Sequence, residues 1–236
     1  MIADTPVLSA QNLTKTYGST TALDGVSATV RAGESVAVMG ASGSGKTTLL
    51  HCLAGIVLPD TGSVRLFGTA TGVPAEITSL DDAARSALRR TEFGFVFQQG
   101  LLIPELTAGE NVALALMLNG TPRQVAEQQA AAALAALGLA GMEGRRIGEL
   151  SGGQAQRVAI ARAQVNGARV LFADEPTGAL DSRTSADVMA LLLQSVAGTG
   201  RALVVVTHDP EVARWCSRVL TLADWRMVAD TAGVAR

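Results

Sequence analysis

Apolar β-type runs that alternate with helical runs predict an α/β fold built on a mainly parallel sheet. Three stretches carry that expectation. Ser35-Val36-Ala37-Val38-Met39 leads through a glycine-rich loop into the helical run Leu49 to Ala54. Val170 to Ala173 precedes the helical run Ser182 to Val196, and Ala202 to Thr207 precedes Pro210 to Cys216. Strands connected in this way run parallel, and their ligands sit outside the C-terminal strand ends.

The remaining elements follow from local pattern. Val7 to Tyr17 and Ser27 to Arg31 alternate as antiparallel strands, with Asp24-Gly25 predicted as the turn between them. Pro59-Asp60-Thr61-Gly62 is turn chemistry, after which Ser63 to Phe67 returns as a strand. Leu80 to Arg90 is a polar helical run and Phe93 to Phe97 a short buried strand. From Ala108 to Gly148 alanine dominates, β-branched residues thin out and the pattern is helical. There Thr121-Pro122-Arg123-Gln124 predicts an N-cap, a Pro at N1 and a capping-box Gln at N3, with Gly138 closing the helix. Val219 to Leu222 and Arg226 to Val228 are the last strands. The predicted layout is one domain over 7–229, with 101–167 as a helical subdomain inserted into the core and 1–6 and 230–236 as tails.

Composition sets bounds on the function. Of 236 residues, 48% are hydrophobic and 3% aromatic, so the core is predicted to be mostly Ala, Val and Leu. Nineteen basic against 21 acidic residues leave a net charge of −2, with no basic excess to bind nucleic acid. Cys52 and Cys216 have no metal-ligand spacing and are expected to be small buried residues of a reduced, cytosolic protein. The N-terminus lacks a signal-peptide pattern, and no apolar run approaches the roughly 20 residues that span a bilayer. The expectation is a chain soluble by itself, with any membrane span supplied by another subunit.

The glycine-rich loop carries chemistry. Gly40-Ala41-Ser42-Gly43-Ser44-Gly45-Lys46-Thr47-Thr48 contains G-x-x-x-x-G-K-[ST] between a strand and a helix, the context that distinguishes a phosphate loop from a glycine-rich turn. Glycines let successive backbone N–H groups converge on phosphate oxygens, and the following helix directs its positive dipole end at the same anion. Lys46 adds a full charge for the β- and γ-phosphates, and the Thr47 hydroxyl can ligate Mg²⁺.

Two further stretches have the same flavour. Val170 to Ala173 ends in Asp174-Glu175. By itself this is a strand ending in two solvated acids; beside a phosphate loop it places one carboxylate for Mg²⁺ and one for an attacking water. Leu150-Ser151-Gly152-Gly153-Gln154 opens a helix that runs through Arg157 and Arg162, with Ser151 as N-cap and two glycines baring the first-turn amides. That is a second anion site at a helix N-terminus.

With Arg157-Val158-Ala159-Ile160-Ala161-Arg162-Ala163 behind it, this stretch resembles the signature of the ATP-binding-cassette (ABC) ATPases, and the resemblance covers nearly the whole chain. It implies a phosphate-loop NTPase core with an antiparallel β subdomain and an inserted helical signature subdomain. It implies that Tyr17 stacks on adenine, that Gly40 to Thr48 bind ATP, and that Gln98 contacts Mg²⁺ and the water. Asp174 and Thr47 are the implied Mg²⁺ ligands beside Gln98, and Glu175, His208, Gln98 and Lys46 the catalytic set. Ala179-Leu180-Asp181 corresponds to the D-loop, whereas His51 has no place in the series and is read as structural. Ser151, Gly152, Gly153 and Gln154 are implied to contact ATP held by another copy of the chain, in a head-to-tail dimer holding two ATP. The implied location is cytoplasmic, on the inner face of the membrane through a transmembrane permease.

Within that family, Leu50 to Gly55, Phe95-Val96-Phe97-Gln98-Gln99 and Asp174 to Asp181 look most like the macrolide-export, lipoprotein-release and antimicrobial-peptide-resistance ATPases. Those work with permeases that carry large extracytoplasmic domains. Ala155, Gln164, Gly100 and Gly109 depart from the usual pattern without touching catalytic positions, which leaves the permease open. The alternative is a cell-division-type ATPase that drives a permease-like partner without transport.

Overall fold

The computed structural model describes residues 5–68, 73–98 and 100–231; Gln99 and the outer parts of both expected tails lie outside these. In chain order the first elements are β1 (Pro6–Tyr17), β2 (Thr20–Arg31), β3 (Ser35–Met39), α1 (Lys46–Leu53), β4 (Thr61–Leu66), β5 (Ala75–Glu76) and α2 (Asp82–Glu92). Then come β6 (Phe93–Phe97), α3 (Ala108–Met117), α4 (Arg123–Ala136), α5 (Gly152–Gln164), β7 (Val170–Asp174) and α6 (Ser182–Val196). The chain closes with β8 (Ala202–Val206), α7 (Pro210–Trp215), β9 (Arg218–Ala223) and β10 (Arg226–Asp230). The strands β1 and β10 thus reach Pro6 and Asp230, one residue beyond each edge of 7–229. Contacts group the chain into two compact units, one formed by residues up to Arg89 together with those from Val196 onward, the other by Arg90–Ser195.

The first unit holds an antiparallel sheet in the order β2-β1-β4-β5 and, beside each other, β10, β9, β3 and β8. The strands β9 and β8 run parallel to β3, and Val36, Ala37, Val38 and all of β8 are buried. Eight residues are too few for α1 to be stable alone. Leu49, Leu50, Cys52 and Leu53 are buried, and α1 packs on β1, β2 and β8. Each such leucine contributes about 1.5–3 kcal/mol of burial.

The predicted turn at Asp24-Gly25 is wrong. The hairpin turns at Gly18-Ser19, and β1 pairs with β2 from Pro6↔Arg31 to Tyr17↔Thr20. Gly25 has φ 66 and sits where the register slips between Leu13↔Val26 and Lys15↔Leu23. A positive-φ glycine in a long hairpin accommodates a bulge as readily as a turn. Asp24 is occupied besides: its N–H donates to the Trp225 carbonyl (2.9 Å) and its carboxylate accepts from Arg226 (2.7 Å).

The second unit pairs β6 with β7 in parallel and packs α3, α4 and α5 together. Phe93 meets Phe172 edge-on at 5.3 Å, while Phe95 stacks on Phe172 at 5.6 Å. Ala126, Ala130 and Leu134 form one buried stripe on α4, since i and i+4 share a face. The expected cap of this helix shifts by one residue. The Ala126 N–H donates to the Pro122 carbonyl, so Pro122 is the N-cap and has no hydroxyl to offer. The first turn is instead held by the Arg123–Glu127 ion pair at 2.7 Å. Gly138 does follow the last turn with φ 75.

Cys52 and Cys216 are both buried, and desolvation pushes their thiols up to about 11 and about 12. Among the described residues no helix is long and apolar enough to cross a membrane.

Candidate nucleotide site

In the first unit the loop from Gly40 leaves the C-terminal end of β3. Gly40, Gly43 and Gly45 all have positive φ, at 152, 78 and 99. A Cβ on Gly40 would overlap the Leu222 carbonyl and Ser44 Oγ, and one on Gly45 would overlap the Ala22 carbonyl. The loop is therefore wound too tightly for side chains at those positions. Lys46 is buried and its ammonium donates to the carbonyls of Gly40 and Ala41, both at 2.8 Å, which curls the loop around its charge. Gly45 is the N-cap of α1 and supplies no side-chain cap to the first-turn amides. Ser44 Oγ is buried and has no hydrogen-bond partner among the described residues. A glycine cradle, an uncapped helix start, a buried cation and an orphaned hydroxyl together fit an anion with several oxygens. Thr47 and Ser42 are exposed, at the mouth of this cradle.

His208 belongs to the same edge. The strand β8 pairs with β3 as far as Val38↔Val206, and the Thr207 N–H continues the ladder to the Val38 carbonyl at 3.1 Å. His208 comes next and is exposed; Asp209 behind it caps α7 through the Glu211 N–H at 2.8 Å. The fold thus brings the predicted histidine and the phosphate loop to neighbouring strand ends.

Tyr17 ends β1 with half its surface exposed. What sets its backbone was missed in the sequence: Asp60 accepts from Lys15 Nζ (2.8 Å), Thr16 N–H (2.7 Å) and Thr16 Oγ1 (2.8 Å). The Lys15 ammonium lies 5.5 Å from the Tyr17 ring centroid. Those donors, Lys15 first and then Thr16, hold the Asp60 carboxyl down at about 2. The only sequence signal was a carboxylate in a turn, Pro59 to Gly62, and the turn itself explained it.

In the second unit, Gln98 and Asp174-Glu175 share a strand edge, because β6 and β7 pair as far as Phe97↔Asp174. Glu175 takes φ 48, a left-handed conformation that costs a non-glycine residue about 1–3 kcal/mol. Its carbonyl accepts from the Gly178 N–H at 3.1 Å. The Gln98 side chain lies over Gly178, where an added Cβ would meet Nε2 at 2.9 Å. A second unpredicted residue completes this edge: Gln156 is buried, and its amide donates to the carbonyls of Phe97 (3.0 Å) and Pro176 (2.8 Å).

Ser151 caps α5 as expected. Its hydroxyl accepts from the Gln154 N–H (3.3 Å) and the Gln154 side chain accepts from the Ser151 N–H (2.9 Å), a closed capping box. Gly153 has a role beyond baring amides, since a Cβ on it would meet Thr184 Cγ2 at 2.5 Å. Asp181 caps α6, accepting from the N–H groups of Arg183 and Thr184 and from Thr184 Oγ1 (2.7 Å). The Thr184 amide first, then its hydroxyl, hold this carboxyl below its usual range. Ser151 to Gln154 and Ala179 to Asp181 line one polar concavity of about 400 Å³. The fold therefore joins the predicted signature and D-loop in one surface.

The family model for ABC transporters matches residues 23–178. The pyoverdine export ATP-binding/permease protein PvdT of Pseudomonas fluorescens is 43% identical over 97% of this chain. The macrolide export ATP-binding/permease protein MacB of Nitrosomonas europaea is 42% identical over 96% of it. The chain spans 34% of the length of each of these relatives. Among solved structures, the ATP-binding cassette MJ0796, in a dimeric post-hydrolysis state bound to ADP and Pi, is 38% identical with a TM-score of 0.83, over 94% of this chain and 97% of that one. The cbiO1 structure from Clostridium perfringens, part of the ABC transporter complex cbiONQ, is 26% identical with a TM-score of 0.84, over 96% and 88%.

Proposed function

The chain belongs to the ABC transporter family, and on that premise we propose that it binds and hydrolyses ATP as a head-to-tail pair to power a transmembrane permease, as part of a bacterial exporter. Its α/β fold is that of an ABC ATPase cassette, a phosphate-loop core with an antiparallel β part and an inserted helical part. The proposed layout is a single nucleotide-binding domain over 7–229 with 101–167 as its inserted helical subdomain.

The observation that carries the proposal is the phosphate cradle: Lys46 held on loop carbonyls, Ser44 Oγ without a partner, and α1 starting uncapped. In it the amides of Gly40 to Thr48 and the Lys46 ammonium hold the β- and γ-phosphates, and Tyr17 stacks on the adenine. Ser151 to Gln154 meet the γ-phosphate of ATP held by the partner copy, with Asp181 beside them. Thr47, Asp174 and Gln98 hold Mg²⁺. Their hydroxyl, carboxylate and amide oxygens are hard donors, which suits a small hard cation that keeps several waters and phosphate oxygens in its shell. Mg²⁺, when bound, supplies charge that stabilises the leaving β-phosphate oxygen.

Glu175 orients the attacking water and takes its proton as the new P–O bond forms and the bond to ADP breaks. His208 donates to a γ-phosphate oxygen. Hydrolysis removes the group that both copies grip, and the pair reopens.

We propose that the permease docks on the helical part of the second unit. There Leu106, Ala113, Leu114 and Met117 line a groove of about 160 Å³, rimmed by Glu110 and Arg123. Leu101 and Ile103, between Gln98 and this groove, are exposed. An apolar floor with a charged rim suits a short amphipathic helix from the permease. The chain thereby works at the cytoplasmic face of the membrane, and a permease with a large extracytoplasmic domain is the proposed partner.

Glu175→Gln tests the mechanism. The variant is expected to bind ATP normally, to lose turnover and to run at twice its mass in gel filtration with ATP. Wild-type turnover would remove Glu175 as the base. ATPase assays with and without a candidate permease test the coupling: neither stimulation nor co-purification would overturn the exporter assignment.

A further inference from the structure

Strands β6 and β7 stop pairing at Phe97↔Asp174, and the two chains then diverge, one into the Gln98 turn and the other into the left-handed Glu175. Two carbonyls at this edge, on Phe97 in the last pair of the ladder and on Pro176 immediately after Glu175, accept from one amide, Gln156 Nε2, at 3.0 and 2.8 Å; the Phe97 carbonyl also accepts from the Gly100 N–H at 2.9 Å. Both partners are carbonyls, so the NH₂ end of the amide must face them, and one nitrogen spends both of its hydrogens there. Gln156 is only 3% exposed, so water cannot replace these bonds. The same helix ties down the far side of the turn, where Arg162 donates to the carbonyls of Gly100 and Leu101, both at 2.7 Å. Gln98 therefore lies in a short loop fastened to α5 at both ends, and α5 begins at Ser151.

We propose that Gln156 is a positioning residue for hydrolysis: its amide sets the spacing of the Gln98 and Glu175 turns and joins both to the helix whose N-terminus carries Ser151. A shift of α5 on contact with a partner's phosphate is then transmitted through one side chain to the backbone of both turns. The inference rests on the proposed roles of Gln98 and Glu175. It assigns Gln156 no contact with nucleotide, and it separates turnover from binding, because Lys46 and its loop belong to the other unit.

Gln156→Met keeps the length of the side chain and removes both donors; Gln156→Glu puts acceptors against the two carbonyls. Turnover, nucleotide affinity and melting temperature are measured on the purified chain. The expected result is a kcat lowered about tenfold or more in the Met variant and further in the Glu variant. ATP affinity stays within about twofold of wild type in both. Leu134→Ala, in the buried stripe of α4, serves as the stability control and is expected to lower the melting temperature while kcat holds. If Gln156→Met does not fold, Gln156→Asn, with the donors one methylene short, is expected to show a reduced kcat at unchanged affinity.

A kcat within about twofold of wild type in the folded Gln156 variants overturns the inference. So does an equal loss of kcat in Leu134→Ala at matched melting temperature. A wild-type chain that hydrolyses no ATP is a different failure, that of the proposed function itself.

Discussion

Helix α1 starts at Gly45, whose left-handed backbone offers no side chain to the first-turn amides, whereas α5 starts at Ser151 with its capping box closed. Both starts follow glycine-containing sequence, and both were expected to receive phosphate. The first is unfinished as a piece of protein: Gly45 gives it no side-chain cap, and Ser44 Oγ has no partner among the described residues. It is held by burial of Leu49, Leu50 and Leu53, and an anion would complete it. The second satisfies itself, so its Ser and Gln must exchange internal bonds for any ligand. Under the proposed function, the difference suits the first end to bind nucleotide by itself and the second to add contacts to nucleotide already bound.

The comparison can be broken at several points. Lys46→Ala should weaken ATP binding on the order of 100-fold, about 2.7 kcal/mol, in a titration with a fluorescent nucleotide. Ser151→Ala should leave that affinity nearly unchanged in the isolated chain, and equal losses would contradict the division of labour. Gly153→Ala drives a Cβ toward Thr184 Cγ2, 2.5 Å away, and should cost about 1–3 kcal/mol in urea unfolding. Thr184→Ser in the same chain removes that methyl and should recover part of the loss.

Two smaller effects differ in sign. Ser151→Ala opens a capping box and should cost about 1 kcal/mol of stability. Ser44→Ala removes an unsatisfied buried hydroxyl and should be neutral or stabilising by up to about 1 kcal/mol without nucleotide. Saturating ATP should reverse that order for Ser44, read as the shift in melting temperature. The smallest effect is expected at Asp60. Its carboxyl is held at about 2 in the fold, below about 4 in the unfolded chain. A depressed carboxylate contributes stability above the unfolded value and loses it as pH falls through the folded one. Asp60→Asn should therefore flatten the acid limb of the stability curve between about pH 4 and pH 2, and an unchanged limb would remove Asp60 as a clasp on the Tyr17 segment.

Much of this chemistry was legible because it is contiguous. Gly40 to Thr48 encode strand end, loop, charge and helix start within nine residues, and each follows from its neighbours. The Ser151 cap and Gly138 were legible for the same reason, since a cap is satisfied within one turn. The strand β6 and helix α6 also fall on the ranges expected from their patterns. Gln156 was not legible: its amide serves carbonyls 59 and 20 residues away, so on a helical wheel it is one more polar residue. Asp60 hid in the same way, with partners 44 and 45 residues upstream.

By itself, then, the sequence determined the order of strands and helices apart from the short β5, the phosphate loop, the second helix start and the acids at the end of β7. These depend on side-chain period, glycine freedom and caps, all of which act over a few residues. Only the tertiary structure decided that Asp24-Gly25 makes a bulge and Gly18-Ser19 the turn, because register depends on which residue lies across the hairpin. It also decided that Gly153 is small to admit Thr184, and that Gln156 clasps two turns distant in sequence. Close approach and buried polar pairing are set by partners that only folding brings near.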